Sequence, residues 1–396
     1  MWFTNFIKGD RTIWWIVFIL SIFSSLVVYS SSIALAYRYK DGHSEYFLFK
    51  HIVISLMGLF LIFLIQKQNL TVKHLNLISV LGFIISIPLL IFTLVSGVRS
   101  GEATRWVEVP GLGITFQSSD LAKITLILFI SRNLTFYQKK FISLKNIFII
   151  ILLPTILICG LILISNFSTA FLLFTTIFYL ILLSNVSLKN TLKILSILFI
   201  VGCVFGLTIY FFPDVLPRGK TWKSRIENFI NGDNKANYQA EQAKIAIANG
   251  TIIGRGPGNS AQRSFLPQAN SDFIYAILIE EYGTLAGIIV AAAFLVIFLR
   301  SIKIAQKANN LFYSYIVAGL SFNLVLQAII NMAVAVNLIP VTGQPLPFVS
   351  MGGTSLVFSC ISIGIILNIS RQIKDKQIAQ KQDNIPVSES SITTIG

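Results

Sequence analysis

Ten runs of about twenty predominantly apolar residues follow one another along this chain, and they constrain its fold more than any other feature. About twenty helical residues cross the ~30 Å hydrocarbon core of a bilayer. The runs lie near residues 13–36, 47–66, 75–97, 119–136, 146–165, 167–186, 192–213, 273–299, 311–339 and 351–370. They predict an all-α polytopic membrane protein. Composition agrees, with 55% hydrophobic and only 12% charged residues, where soluble chains carry about a quarter charged. A mean hydropathy of +0.77 excludes a soluble protein with a large core. The fourth run is the least apolar and depends most on burial among its neighbours. No internal repeat is visible, which weakens an inverted-repeat transporter reading.

Basic residues set the expected orientation. Alternate connections, beginning with the N-terminus, carry Lys8/Arg11, Lys67/Lys73, Arg132/Lys139/Lys140/Lys145, Lys189/Lys193, Arg300/Lys303/Lys307 and Arg371/Lys374/Lys376/Lys381, so both termini are expected in the cytoplasm. The net charge of +15 is spread over span ends rather than gathered in one stripe. It reads as topogenic charge beside anionic lipid, not as a nucleic-acid surface. Residues 1–11 are short and amphipathic and the run after them is too long for a signal core, so no cleaved leader is expected. Cys159, Cys203 and Cys360 fall inside apolar runs and indicate no disulfide framework. Residues 1–374 are expected to form one membrane domain, and 375–396 a flexible cytoplasmic tail.

Two external segments are too elaborate to be connectors. Ser96 to Gln117 holds Gly97, Arg99, Gly101, Arg105, Trp106, Pro110, Gly111 and Gly113. The loop between the seventh and eighth spans, residues 214–272, contains a predicted helix from Tyr238 to Asn249 capped by Gly250. A loop of that length in a compact protein is functional or disordered, and its tryptophan, tyrosine and isoleucine content argues for order.

The loop ends at Asp272, where two readings stand together. Ser-Asp before an apolar run is a helix cap. A carboxylate beside the bilayer also has a raised pKa suited to taking a proton. Glu280 and Glu281, two turns on, are either an interior hydrogen-bond cluster or contacts to metal or substrate. Asp120 and Lys123 share a helix face as a low-dielectric pair, which Arg105 and Gln117 could extend into an anion patch. Asn323, Gln327 and Asn331 form a polar stripe, bonding other helices or lining a cavity. The Pro340–Ser355 segment cannot be regular helix, and irregular backbone at membrane depth needs protein or water around it. Its Ser350-Met-Gly-Gly stretch offers backbone N–H groups of the kind that suit phosphate. Arg218, Lys220, Lys223, Arg225, Lys244, Arg255 and Arg263 decorate the loop, as lipid-headgroup contacts or as recognition of a polyanionic lipid. The histidines (His43, His51, His74) are scattered and form no zinc pattern.

Three segments carry a family resemblance. Gly256-Pro-Gly-Asn-Ser260, Leu266-Pro267, Ser271-Asp272-Phe273 and Glu280-Glu281-Tyr-Gly283 resemble G-x-G-N-S…LP-x-x-x-[ST]-D-F…E-E-x-G of the SEDS family (shape, elongation, division and sporulation). The stretch Val341 to Ser355 is similar to that family's P-[TV]-x-G-x-x-LPF-x-S-x-GG-[ST]-S. Arg105-Trp106 with Gln117-Ser-Ser-Asp120-Leu-Ala-Lys123 is similar to RW…Q-P-S-E-L-A-K. Ser118, Asp120 and Met351 depart from the pattern. Asn166 stands where many members carry an aspartate, so it supplies no carboxylate.

The resemblance implies a peptidoglycan glycosyltransferase, most similar to the FtsW division branch in a form seen in Bacteroidetes-like bacteria, with the RodA elongation branch the runner-up. It implies lipid II as acceptor, an undecaprenyl-pyrophosphate-linked glycan as donor and Asp272 as catalytic base. Arg105, Gln117, Lys123, Arg218, Arg225, Asn259, Gln262, Glu280, Gln327, Asn331 and Ser350 are the expected substrate contacts. A divalent cation (Mg or Mn) is a further way to neutralise the pyrophosphate. The implied partners are a class B penicillin-binding transpeptidase and other division proteins, in the inner membrane at the septum. The transpeptidase anchor is expected against the eighth and ninth spans, where Gly283, Ala286, Gly287 and Ala291–Ala293 permit close approach. A lipid flippase and a recruiting scaffold are the alternatives from other classes, and only the enzyme needs the Asp272 carboxylate.

Overall fold

The computed structural model describes residues 9–39, 42–100, 103–109, 114–138, 143–215, 218–231, 238–266 and 268–383. Lys8, Gly101, Pro110, Gly111, Gly113, Lys139, Lys140, Pro267 and the tail beyond Asp383 lie outside the described residues.

Thirteen helices are described: α1 (Arg11–Ser31), α2 (Ile33–Tyr39), α3 (Ser44–Lys67), α4 (Val72–Ser96), α5 (Ser118–Phe136), α6 (Leu144–Ser165), α7 (Phe167–Leu183), α8 (Leu188–Phe211), α9 (Gly219–Asn231), α10 (Tyr238–Gly250), α11 (Ile274–Gln306), α12 (Leu311–Ala335) and α13 (Thr354–Asp383). Eight of them, α1, α3, α4, α6, α8, α11, α12 and α13, are long and apolar enough to cross a membrane. Helix α7 is apolar but has only 17 residues, and α5 is too polar to qualify. Helix α5 lies inside the bundle and α7 buries one face against it, so ten helices stand where ten crossings were expected.

The weak fourth run shows why burial can replace hydrophobicity. Fourteen of the 19 residues of α5 are buried, Asp120 and Lys123 among them. Its neighbours α4, α7 and α12, rather than lipid, are its solvent. Helix α12 is the hub, packed on α5, α7, α11 and α13, whereas α8 makes its main contacts with α9 and the Pro213–Val215 turn. Helix α6 crosses with a π turn at Phe148–Leu152 just before Pro154. Proline has no N–H for the carbonyl four residues back, and Asn133 Nδ2 donates to that Ile150 carbonyl at 2.8 Å.

The first external segment contains a small antiparallel sheet that was not anticipated: β1 (Val98–Ser100), β2 (Ala103–Val109) and β3 (Ile114–Gln117), in that order, with Trp106 opposite Gln117. The β-branched and aromatic residues Thr104, Trp106, Val107 and Val109 make a run short enough to be hidden by the surrounding glycines and proline. The predicted Tyr238 helix is present, but Gly250 is its last residue rather than a left-handed cap, being absent from the positive-φ glycines. A Cβ there would sit 2.1 Å from the Ile279 carbonyl oxygen, so close packing on α11 selects glycine. Helix α13 continues to Asp383, past the predicted span end near residue 370, so the first residues of the expected flexible tail are helical.

Candidate active site

Asp272 sits in the last turn before α11. The first residue outside that helix is Phe273, with no side-chain bond from it, so Asp272 is not the cap that Ser-Asp suggested. Its backbone is instead held by three successive carbonyls. Asn270 O accepts from Met351 N (2.9 Å), Ser271 O from Ser350 Oγ (2.7 Å) and Asp272 O from Asn331 Nδ2 (2.9 Å). All three donors belong to α12 or the irregular segment after it. The side chain's own hydrogen-bond partner is the neighbouring Ser271.

That irregular segment is fastened in turn. Asn331 Nδ2 also donates to Gln344 O (2.8 Å), Gln344 Nε2 to Thr169 Oγ1 (2.8 Å), Gln327 Nε2 to Pro345 O (2.9 Å), and Leu346 N to Ser350 Oγ (2.8 Å). Ser24 Oγ donates to Val349 O at 2.7 Å, with His51 Nε2 2.7 Å behind it. These bonds hold Phe348 at φ 61°, a strained setting for a non-glycine residue. Lys123 Nζ pairs with Asp120 Oδ1 (2.8 Å) and donates to Gln327 Oε1 (3.2 Å). Lys123, Gln327, Asn331 and Ser350, expected as substrate contacts, therefore act as buried brackets behind Asp272. Met351 N is already bonded, and Gly352 N donates to Ser350 O, so those two groups are not open to a phosphate.

Positive charge converges in front of the acid. Arg105 Nε (3.2 Å) and Arg218 Nη1 (2.6 Å) both donate to Ser165 O, at the C-terminal end of α6, where the helix dipole favours cations. Arg225 Nη1 donates to Val341 O at 3.0 Å. Burial, then the charges of Arg218 and Arg225, lower Arg105 to about 10, with Asp272 opposing the shift. Burial pushes the Asp272 carboxyl above its ordinary range, opposed by the Ser271 hydrogen bond and the charges of Arg105 and Arg225. The acid is half-buried. Gly343, at φ 70°, marks the gap between the two groups: a Cβ there would stand 3.7 Å from Asp272 Oδ2 and 3.9 Å from Arg105 Nη1. The result is a carboxyl group whose proton affinity is raised by burial, facing guanidinium groups, a setting suited to taking a proton.

The remaining expected contacts lie elsewhere. Gln117 sits at the hairpin base, its Nε2 on Ser119 Oγ (2.8 Å) and its N facing Thr354 Oγ1 (3.4 Å). Arg105 and Gln117 thus do not extend the Asp120–Lys123 pair; Arg105 joins Arg218 and Arg225. Glu280 is fully buried and accepts from Ser260 Oγ, Ala261 N (3.3 Å), Gln262 N (3.2 Å) and Asn249 Nδ2 (3.4 Å), with Arg255 Nη1 at 3.9 Å. Glu281 accepts from Ser30 Oγ, which Arg263 Nη1 also reaches at 3.0 Å. This is an interior hydrogen-bond cluster in which the chain's own donors occupy Glu280. Asn259, exposed and bonded to Arg255 O at 3.1 Å, and Gln262 belong to the same loop framework. Asn166 caps α7 through Thr169 N at 3.3 Å, a task an amide does as well as an acid.

Residues that sequence reasoning missed are Gln344, Thr169, Ser24 and His51. Gln344 was visible as the only amide between two prolines of an irregular segment. His51 was passed over because no second histidine stands near it. A divalent cation does not fit the donor set: one carboxylate faces Arg105 and Arg225, and among the described residues no three His, Cys, Asp or Glu side chains converge.

A family model described as a cell cycle protein, FTSW_RODA_SPOVE, matches residues 10–375. A probable peptidoglycan glycosyltransferase FtsW of Geobacter sp. (strain M18) is 30% identical over 381 residues, covering 92% of this chain and 97% of the relative. The protein of the same description from Bacillus subtilis (strain 168) is 29% identical over 389 residues, 94% of this chain and 93% of its own. Among solved structures, a chain from a peptidoglycan synthase complex that coordinates polymerization and crosslinking superposes with TM-score 0.74 at 20% identity, covering 92% of this chain and 98% of its own. The rod shape determining protein RodA of Thermus thermophilus gives 0.66 at 20% identity, with 93% and 98% covered.

Proposed function

Because this chain belongs to the FtsW/RodA/SpoVE family of cell cycle proteins, we propose that it polymerises lipid II into peptidoglycan glycan strands at the outer face of the inner membrane during division. The relatives described as FtsW support the division role over elongation. The assignment to a form seen in Bacteroidetes-like bacteria rests on Lys8-Gly-Asp-Arg11, Val28-Tyr-Ser-Ser31 and the stretch from Val341 to Pro347. The observation that carries the chemistry is Asp272, its backbone pinned and its carboxylate facing Arg105 and Arg225, with Arg218 beside Arg105 on Ser165 O.

In the proposed step the 4-hydroxyl oxygen of lipid II attacks the anomeric carbon of the donor strand, with inversion. Its proton passes to Asp272. The bond from that carbon to the pyrophosphate oxygen breaks, and the electron pair leaves with undecaprenyl pyrophosphate. The three guanidiniums stabilise the developing negative charge, and their forked N–H groups match phosphate oxygens. A flippase needs the basic basin but not the base, and nothing in the geometry favours it.

A class B penicillin-binding transpeptidase is the proposed partner, in line with the similar chain from a synthase complex. Gly287, one of the small residues expected to admit its anchor, is already covered. A Cβ at Gly287 would meet Ile279 Cγ1 at 2.9 Å and Tyr275 Oη at 3.1 Å, so that glycine packs on its own chain.

The test is extension of lipid II by the purified protein with its transpeptidase. Glycan strands with inverted linkage are expected; lipid II moved across vesicles without any polymer would overturn the enzyme reading.

A further inference from the structure

Ile252 and Ile253 are 72% and 83% exposed, yet the turn that carries them is not loose. Helix α11 breaks at Gly283, at φ 82° and ψ 168°. A break frees carbonyls before it and amides after it, and the backbone from Thr251 to Gly256 takes both sets. Arg255 N and Gly256 N donate to Glu280 O and Glu281 O, each at 2.9 Å, while Thr284 N and Leu285 N donate to Thr251 O (3.0 Å) and Ile252 O (3.3 Å). Glycine is needed on both sides. A Cβ at Gly254 would lie 2.3 Å from Glu281 O, and one at Gly283 2.1 Å from Ile252 O. The turn therefore rides on α11 as part of the helix, with Ile252 beside Leu285.

Leu285 begins the outward-facing apolar band of α11, followed by Ile288 and Ile289, exposed by 58%, 59% and 60%. Depth follows from counting. Arg300 and Lys303 mark the cytoplasmic end, about 17 to 20 residues from Gly283, or roughly 26–30 Å at ~1.5 Å per residue against ~30 Å of hydrocarbon. The break thus lies at the outer hydrocarbon boundary or just inside it. Two adjacent isoleucines point outward at that level, continuous with a lipid-facing band.

We propose that the Thr251–Gly254 turn is an interfacial anchor whose Ile252 and Ile253 side chains insert into the outer leaflet, between headgroups and acyl chains. The anchor also fixes depth. From Gly283 the wholly buried helix segment Ile274–Glu281 leads back to Asp272, so a rigid arm ties the acid to the leaflet where a lipid pyrophosphate lies. This second step rests on Asp272 being the base; the insertion does not.

The test uses the full chain with Cys159, Cys203 and Cys360 replaced, Ile253→Cys carrying a nitroxide, in phosphatidylglycerol–phosphatidylethanolamine vesicles. Ile288→Cys gives the lipid reference and Lys220→Cys the water reference. Collisions with dissolved oxygen should dominate those with a water-soluble nickel chelate, placing the label ~5–10 Å below the phosphates. Dominant nickel collisions, as at position 220, would overturn the anchor. So would protection from both reagents, which means protein covers the turn. Ile252→Ser with Ile253→Ser should lower polymerisation several-fold in bilayers and less in detergent. An unchanged bilayer rate with the label still inserted would overturn the depth-setting step alone.

Discussion

Asp272 and the pair Glu280–Glu281 are acids within ten residues of one another, at the same membrane face, and the chain surrounds them in opposite ways. Glu280 is enclosed by a serine hydroxyl, two backbone amides and an asparagine, so its lone pairs are used up in holding the loop from Asn249 to Arg263. Asp272 has its backbone held and its carboxylate left facing guanidiniums across the space at Gly343. A buried acid whose bonds are satisfied is framework; one kept short of bonds and raised in pKa is available for proton transfer. Sequence cost alone does not separate the two, since both are carboxylates beside apolar runs.

The contrast can be broken at several points. After loss of the base itself, the largest effect is expected in the basic basin: Arg105→Ala and Arg225→Ala should each lower turnover by about 10²-fold, as for loss of one transition-state donor. Arg263→Ala, in the glutamate cluster, should change thermal stability more than turnover. Equal turnover losses from Arg263→Ala and Arg105→Ala, at equal folded fraction, would erase the distinction.

Glu280→Ala leaves its buried donors without an acceptor and should destabilise the fold by about 1–3 kcal/mol. The rate per folded molecule should hold, as read by unfolding and polymerisation on one preparation. Asn331→Leu removes the bonds to Asp272 O and Gln344 O. A small displacement of a catalytic group can cost ~10²-fold, and the loss should fall on kcat rather than KM. Ser24→Ala, which loses the bonds to Val349 O and His51 Nε2, should cost about 1 kcal/mol and change rate least.

The pH profile sharpens the same contrast. Activity needs ionised Asp272, so the acid limb should lie above an ordinary aspartate's range, because burial raises this carboxyl. The alkaline limb should begin where Arg105, lowered to about 10, loses its proton. For stability the sign is reversed. A group whose folded pKa is raised stabilises the fold below its unfolded pKa, and that stability is lost as pH rises through the folded value. Ionising Asp272 therefore works against folding.

Much of this was legible in the residues. The ten crossings followed from run length, and α5 was marked as dependent on burial because its run was the poorest in apolar residues. Asp272 and the three arginines were visible as charges in a membrane chain. Their convergence was not, because Arg105 lies on a short hairpin and Arg218 and Arg225 more than a hundred residues on. Ser350, Gln327 and Asn331 were identified as important but assigned to substrate, since a polar residue near an irregular segment reads alike whether it faces a ligand or a backbone carbonyl. The framework role of Glu280 and the Gly283 break depend on the returning loop, whose path no local pattern encodes.

The most direct measurement is made on Asp272→Asn, in bilayers, with polymerisation and thermal unfolding read from the same sample. Removing the base should lower polymerisation by ~10²–10⁴-fold, while the melting temperature at neutral pH stays level or rises, because the amide carries no charge to bury. Polymerisation at the wild-type rate, or a loss of activity matched by a loss of folded protein, would contradict a catalytic Asp272.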